Sequence, residues 1–377
     1  MQNKNEKGSF AHDLCFLQKH DSVIVLQSDQ SKVIVSTKYQ GKVFTSTSDG
    51  NNSFGWIHYS AFDAPLDPHM NAYGGENRLW LGPEGGKFSL FFHKDSKMEF
   101  ANWKTPAAFD SEPWMIKEKN ETTVALQKEM QLTNYTGTEL KLLVNRKIQI
   151  LDKASINLKL QINLENGVKA VGYQTENSLT NTGTFAWNDT TGMPCLWMLD
   201  MLNPSDHTTV IIPYTVKPNT NPATTDYFGE ISPDRIKYEN AVLFFKADGK
   251  SRGKLGIKPA CAKNIAGSYD SDKKVLTITL FDIDNNDKYL NQEWNATKAP
   301  FSGDAVNAYN DGPLADGKQM GPFYEIESVS PAAFLKPGET LSHQHSVFHF
   351  TGDEKGLNAI VQKLLGVSLE QVKKIFP

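Results

Sequence analysis

The sequence predicts an all-β protein, a large antiparallel two-sheet sandwich. Runs of β-branched and aromatic residues recur along most of the chain, Gly, Asn, Asp and Pro punctuate them, and helical periodicity stands out only at the C-terminus. Consecutive strands with short turns favour antiparallel pairing, and their number exceeds a simple sandwich of about seven strands.

The first ten residues, MQNKNEKGSF, are polar and lack the apolar segment of a signal peptide. Two expectations follow: a cytoplasmic protein, or a periplasmic or cell-surface one whose export signal, with a lipid anchor, lies upstream. The second is preferred, because a polar tether suits a β-domain released from its leader. DSVIVLQ and SKVIVST then read as strands joined by a polar turn at 28–31, and KVFTSTS follows Gly41. KFSLFFH reads as a strand with Phe88, Leu90 and Phe92 on one face. TVALQKEMQLTN, LKLLVNRKIQIL, SINLKLQINLEN, TTVIIPYTV, AVLFFKA, KLGIKPA and KKVLTITLFD extend the series. At the end, GLNAIVQKLLGVSLEQVKKIF places Leu357, Ile360, Val361, Leu364 and Leu365 at helical spacing. Ser368 and Gln371 form a capping box that starts a second short helix, with Leu369, Val372, Ile375 and Phe376 as its apolar face. Residues 10–351 are therefore expected to form one sandwich and 352–377 a helical appendage packed on it.

Charge excludes one class of partner. Lys plus Arg number 39 against 43 Asp plus Glu, which leaves no excess for a nucleic-acid footprint. No apolar run approaches the roughly 18 residues of a membrane span. Cys15, Cys195 and Cys261 stand far apart with no CxxC, so neither a zinc knuckle nor a disulfide framework is indicated. No motif calls for a cofactor.

Four stretches carry candidate chemistry. In YGGENRLWLGPEGGKF, residues 73–88, paired glycines bracket ENRLWL. Paired glycines let the backbone approach a ligand closely or adopt positive φ. On a strand, Asn77, Leu79 and Leu81 share one face, and Glu76, Arg78 and Trp80 the other. An acid, a planar cation and a large ring suit a sugar, which offers hydroxyls and apolar C–H faces; the competing reading is a buried Arg–Glu pair under a core Trp. The segment 295–321, rich in Gly, Asn and Asp, reads as a long loop. It is expected either to wall a cleft or to pack on itself, with Trp294, Asn307, Tyr309 and Asp311 available to hydroxyls.

In FYEIESVSPAAFLKPGETLSHQHSVFHF, Glu325 and Glu327 lie two apart and face one side of a strand, as do His343, His345 and His349 on the next. Carboxylate plus imidazole is equipment for proton transfer near neutral pH. Pairing about Lys336-Pro337 would set Glu327 opposite His345; a tighter hairpin would separate them. Metal binding and purely structural histidines are the other readings. In DIDNNDKYLNQE, Asp282, Asp284, Asn286 and Glu293 match calcium-loop positions, but Asp287 stands where that loop needs Gly, so a polar turn is expected.

Together, ENRLWLGPEGGKFSLFF and YEIESVSPAAFLKPGETLSHQHSVFHF resemble the galactose mutarotase-like superfamily, and most nearly an uncharacterised bacterial branch of it known as a domain of unknown function. The resemblance implies a supersandwich of two twisted sheets with a saccharide cleft on one concave face. It implies that Glu327, in IES ahead of KPGET, stands at the position of the catalytic base, and that Asn77-Arg78 matches a pair contacting sugar hydroxyls. The histidine acid of that family, in a Leu-His-Gly-Gly or His-x-Tyr-Phe-Asn stretch, has no counterpart here, so His345 or His69 is expected to supply it. A carbohydrate-binding protein without catalysis is the alternative.

Overall fold

A computed structural model describes residues 6–314 and 316–376. The opening five residues and Pro377, parts of the expected tether and appendage, lie outside the described residues.

Among the described residues, three antiparallel sheets organise the fold. The first pairs β1 (Ile24–Ser28), β2 (Ser31–Ser36) and β3 (Lys42–Thr47) in order. The largest has ten strands: β12 (Ile236–Glu239), β13 (Val242–Lys246), β10 (Thr208–Pro213), β15 (Ile265–Asp270), β16 (Val275–Phe281), β19 (Thr340–Thr351), β8 (Lys169–Asn181), β7 (Glu139–Leu151), β6 (Thr123–Thr133) and β5 (Met115–Lys119). The third has six: β11 (Ala223–Thr224), β14 (Gly253–Ile257), β17 (Val306–Asn310), β18 (Tyr324–Val329), β9 (Cys195–Leu202) and β4 (Arg78–Gly82).

The main core fills the space between the six- and ten-stranded sheets. Leu79, Met198, Ile326, Ala308 and Leu255 project into it from one side, and Val144, Val171 and Val347 from the other, all with no measurable exposure. A second cluster lies on the far face of the ten-stranded sheet. There Phe348 and Phe350 meet Ile156 and Leu160 of α2 (Lys153–Leu160), Leu357 and Val361 of α3 (Glu354–Leu365), and Val372 of α4 (Leu369–Lys374). Asp353 and Ser368 cap α3 and α4 by accepting from Gly356 N and Gln371 N, which fixes where each helix starts.

Several elements depart from the sequence expectation. An N-terminal helix, α1 (Phe10–His20), opens the fold, capped by Ser9, with Phe10, Asp13 and Leu17 buried. KFSLFFH forms no strand: Phe88, Leu90, Phe91 and Phe92 are all buried, so there is no solvent face for alternation to mark. SINLKLQINLEN gives α2, because Asp152 caps it and Ile156 and Leu160 fall on one helical face. The long segment 295–321 contains β17, an inner strand of the six-stranded sheet. Finally, β18 and β19 do not pair. They lie in different sheets, so Glu327 is opposite Asn307 and Leu199, and His345 is opposite Thr175 and Phe281.

Candidate functional site

The six-stranded sheet sorts its side chains by register. Asn307 of β17 lies opposite Glu327 of β18, Glu327 opposite Leu199 of β9, and Leu199 opposite Arg78 of β4. The next row holds Lys254, Tyr309, Glu325 and Met201, and a third sets Trp197 opposite Trp80. Residues directly opposite across antiparallel strands share a face. This face turns away from the core and floors a hollow of about 610 Å³. Arg78 and Glu327 thus flank Leu199 on one surface, their backbones two strand spacings, about 10 Å, apart.

The floor is charged. Arg78 Nη2 donates to Glu325 Oε1 at 2.5 Å, and Lys254 Nζ to Glu327 Oε2 at 2.9 Å. Trp197 Nε1 donates to the same Glu327 oxygen at 2.8 Å. None of the four charged side chains is more than 8% exposed, so each charge rests on its partner rather than on water. Burial pushes the Glu325 carboxyl up to about 7; the Arg78 cation opposes the shift and the Glu327 charge adds to it. Burial also raises Glu84, whose Oε1 accepts from Trp294 Nε1 at 3.1 Å. Two polar atoms of this group are buried without a hydrogen-bond partner among the described residues, Arg78 Nε and Glu327 Oε1.

The walls are aromatic. Arg78 lies over the Trp80 ring at 4.8 Å and Lys254 over Trp197 at 4.6 Å, while the two indoles meet edge to face at 5.7 Å. Trp103 stacks on Trp294 at 5.9 Å. His69 stacks on Phe100 at 4.7 Å, and its Nδ1–H donates to Trp103 O at 2.6 Å, which leaves Nε2 as the second ring nitrogen for a ligand. A second chamber of about 530 Å³ adjoins the first and shares Glu84, Phe228, Arg252, Lys254, Trp294 and Tyr309 with it.

The sequence candidates divide into three groups. His69, Arg78, Trp80, Trp294, Tyr309 and Glu325 line the hollow, and Asp311 lines the adjoining chamber. Glu327 and Asn307 share the floor rows but are sealed, Glu327 by Lys254 and Trp197, Asn307 by donating to Leu255 O at 3.2 Å. Glu76, Asn77 and His345 are corrections: all three face the interior between the sheets. Glu76 precedes β4 and turns to Ser46, whose N and Oγ donate to it at 2.5 and 2.6 Å, and to His349 Nε2 at 3.0 Å. Asn77, one residue before Arg78, points the opposite way by strand alternation. It donates to Asp200 at 2.6 Å and accepts from Arg146.

His345 belongs to the ten-stranded sheet. Its Nε2–H donates to Asp200 at 2.7 Å, and its Nδ1 accepts from Ser328 Oγ at 2.8 Å. Ser328 Oγ in turn accepts from His343 Nε2–H at 2.8 Å. The chain has Ser–His–Asp connectivity, yet Ser328, His345 and Asp200 have no exposed surface, so no substrate meets the serine. These histidines bolt one sheet to the other.

Glu84, Trp103, Trp197, Arg252 and Lys254 were not among the sequence candidates. Lys254 is the polar alternate in KLGIKPA, and Glu84 sits inside GPEGG, so both had a local signal. Trp197 had none, because β9 is buried on both faces and shows no polar–apolar alternation. Among the described residues no group of three or more His, Cys, Asp or Glu is arranged to hold a metal ion.

Residues 8–376 match the model described as Family of unknown function (DUF6786), and the chain belongs to that family. No curated protein sequence matches it. Among solved structures it is similar to a proposed aldose 1-epimerase from Escherichia coli K12, with TM-score 0.50, 14% identity, and 87% of this chain and 98% of the other covered. It is also similar to the Slr1438 protein from Synechocystis sp. PCC 6803, at 0.52 and 12% over 88% and 96%. A galactose mutarotase-like protein from Lactobacillus casei ATCC 334 aligns at 0.50 and 11% over 87% and 100%. At such identities the likeness establishes the fold: a galactose mutarotase-like, mostly antiparallel β architecture.

Proposed function

We propose that this member of the family binds a saccharide in the hollow over the six-stranded sheet and exchanges protons with it through Glu325. The observation that carries the reading is a floor of two carboxylates interleaved with two cations, walled by Trp80, Trp103, Trp197 and Trp294. Indole faces suit the C–H faces of a sugar, and buried ionised groups hold hydroxyls by charge-assisted hydrogen bonds. The fold shared with a proposed aldose 1-epimerase and a galactose mutarotase-like protein supports the same class of ligand.

The resemblance in sequence assigned the base to Glu327. The geometry favours its neighbour. Glu327 Oε2 already accepts from Lys254 and Trp197, whereas Glu325 lines the hollow with its carboxyl raised to about 7, where both forms are present at neutral pH. In this reading Glu325 takes the proton of an anomeric hydroxyl, a protonated His69 gives one from Nε2 to the ring oxygen, and the C–O ring bond breaks to the open-chain aldehyde. Reclosure reverses both transfers, so the protons balance. Arg78, which lines the hollow beside Glu325, faces a neighbouring hydroxyl.

A second reading, binding without turnover, rests on the same tight pairing: Arg78 holds Glu325 as closely as Lys254 holds Glu327. Saturation-transfer and exchange NMR on free aldoses separate the two. The proposal expects saccharide signals to saturate and anomeric exchange to accelerate, with Glu325→Gln lowering that rate about 100-fold or more and Glu327→Gln lowering it less. Saturation without accelerated exchange supports the binding protein. An equal rate in Glu325→Gln removes Glu325 from the chemistry.

A further inference from the structure

We infer that the ligand is an acidic oligosaccharide, with one sugar unit in the hollow and a unit bearing an anionic group in the adjoining chamber, held there by Arg252. The inference rests on the saccharide reading above and names the class of saccharide. Its first support is continuity. The two chambers, about 610 and 530 Å³, meet along a shared wall that includes Glu84, Trp294 and Tyr309. Each alone is the size of a pocket for a drug-sized ligand, which is larger than one hexose. A monosaccharide over Arg78 and Glu325 leaves the second chamber to water.

Arg252 supplies the specificity. It stands at the junction, its guanidinium carbon 3.9 Å from the centre of the Phe228 ring. Its Nε donates to Tyr309 Oη at 3.3 Å, and Tyr309 in turn donates to Asp311 Oδ1 at 3.0 Å. The ring contact and the Nε bond restrain the guanidinium beside the junction. Arg252 is exposed, and among the described residues the Nε bond to Tyr309 is the one hydrogen bond of its side chain, so its Nη edge is open to a ligand. A planar fork with free Nη donors matches a carboxylate or ester sulfate in bidentate fashion. The other cations of this wall are already committed, Arg78 to Glu325 and Lys254 to Glu327, so Arg252 alone among these three is available to an anion. Asp311, which accepts from Tyr309 Oη and Gly321 N, forms no ion pair with Arg252; Glu84 and Glu293 are the other carboxylates lining the chamber.

The test is a glycan array probed with the full chain. It carries neutral and acidic saccharides of one to four units, the acidic ones as uronates and as sulfated sugars, and is repeated with Arg252→Met and Arg252→Lys. The expected result is binding to acidic ligands of two or more units at least tenfold above the matched neutral ones. Arg252→Met collapses that preference toward unity, and Arg252→Lys restores part of it because it keeps the charge without the fork. Uronate binding without sulfate binding, or the reverse, identifies the anionic group. Retention limited to monosaccharides or to neutral sugars overturns the inference and leaves the saccharide hollow standing. A preference unchanged in Arg252→Met also overturns it. No binding to any saccharide removes the underlying reading along with it.

Discussion

At the scale of single residues, Glu325 is balanced between burial, which raises its carboxyl, and Arg78, which lowers it. That balance predicts two opposite shifts. Arg78→Gln removes the opposing cation, so the ionisation of Glu325 moves above 7. Glu327→Gln removes a like charge, so it moves below 7. Carboxyl NMR titration of Glu325, or the pH profile of anomeric exchange, reads both. Equal midpoints in the two variants would show that neither neighbour sets the value. The sequence exposed part of this arrangement. Arg78 and Trp80 lay two apart in ENRLWL, and Glu325 and Glu327 two apart in YEIES, so each pair's common face followed from strand alternation. Which carboxylate met Arg78 did not follow, because it depends on the order β18-β9-β4, a long-range pairing with no local trace. Glu76 went astray for a related reason: alternation applies inside a strand, and this residue stands before β4 begins.

At the scale of elements, the turn after β4 connects the floor of the hollow to its wall. A Cβ at Gly85 would stand 2.1 Å from Glu293 O, a backbone atom, immediately beside Trp294. Gly85→Ala therefore forces two backbone segments apart and displaces the Trp294 indole from Glu84. The expected cost is about 1–3 kcal/mol of stability, together with weakened saccharide binding and red-shifted or broadened tryptophan emission. Chemical denaturation and fluorescence check it; wild-type stability would mean the segments separate freely. The paired glycines of GPEGG are expected to meet a ligand closely or take positive φ; Gly86 has φ +75°, while Gly85 packs against the chain's own backbone at Glu293. The helices were legible unevenly. α3 and α4 carried both caps and periodicity, whereas α2 alternates Ile156, Leu158 and Leu160 like a strand, and only the Asp152 cap distinguishes it. The strand β9 escaped notice because every residue in it is buried, on one side by the core and on the other by the hollow.

At the scale of the whole molecule, buried ionisable groups give stability a pH dependence whose sign differs from group to group. His343 is fully buried, and desolvation, with His345 beside it, lowers its pKa to about 3. Below its ordinary value of 6.5 the unfolded chain binds a proton that the native state refuses, so stability falls as pH drops from 6.5 toward 3, by at most about 1.4 kcal/mol per pH unit from this group. Glu325 acts oppositely: its raised carboxyl disfavours the fold as pH rises from its ordinary 4.5 to about 7. Urea midpoints between pH 4 and 6.5 are expected to fall more steeply toward acid in the wild type than in His343→Asn; equal slopes would mean that His343 is protonated in the fold. That histidine, with His345 and Asp200, ties the six-stranded sheet to the ten-stranded one, so the late histidine-rich strand serves the scaffold while the opposite face of β18 serves the hollow. The most direct test of the saccharide reading is a crystal structure of the protein soaked with a mixed pool of mono- and oligosaccharides. The account predicts a sugar ring over Arg78 and Glu325, flanked by the Trp80 and Trp197 indoles. Sugar density elsewhere on the surface, with water alone over those two residues, would contradict it.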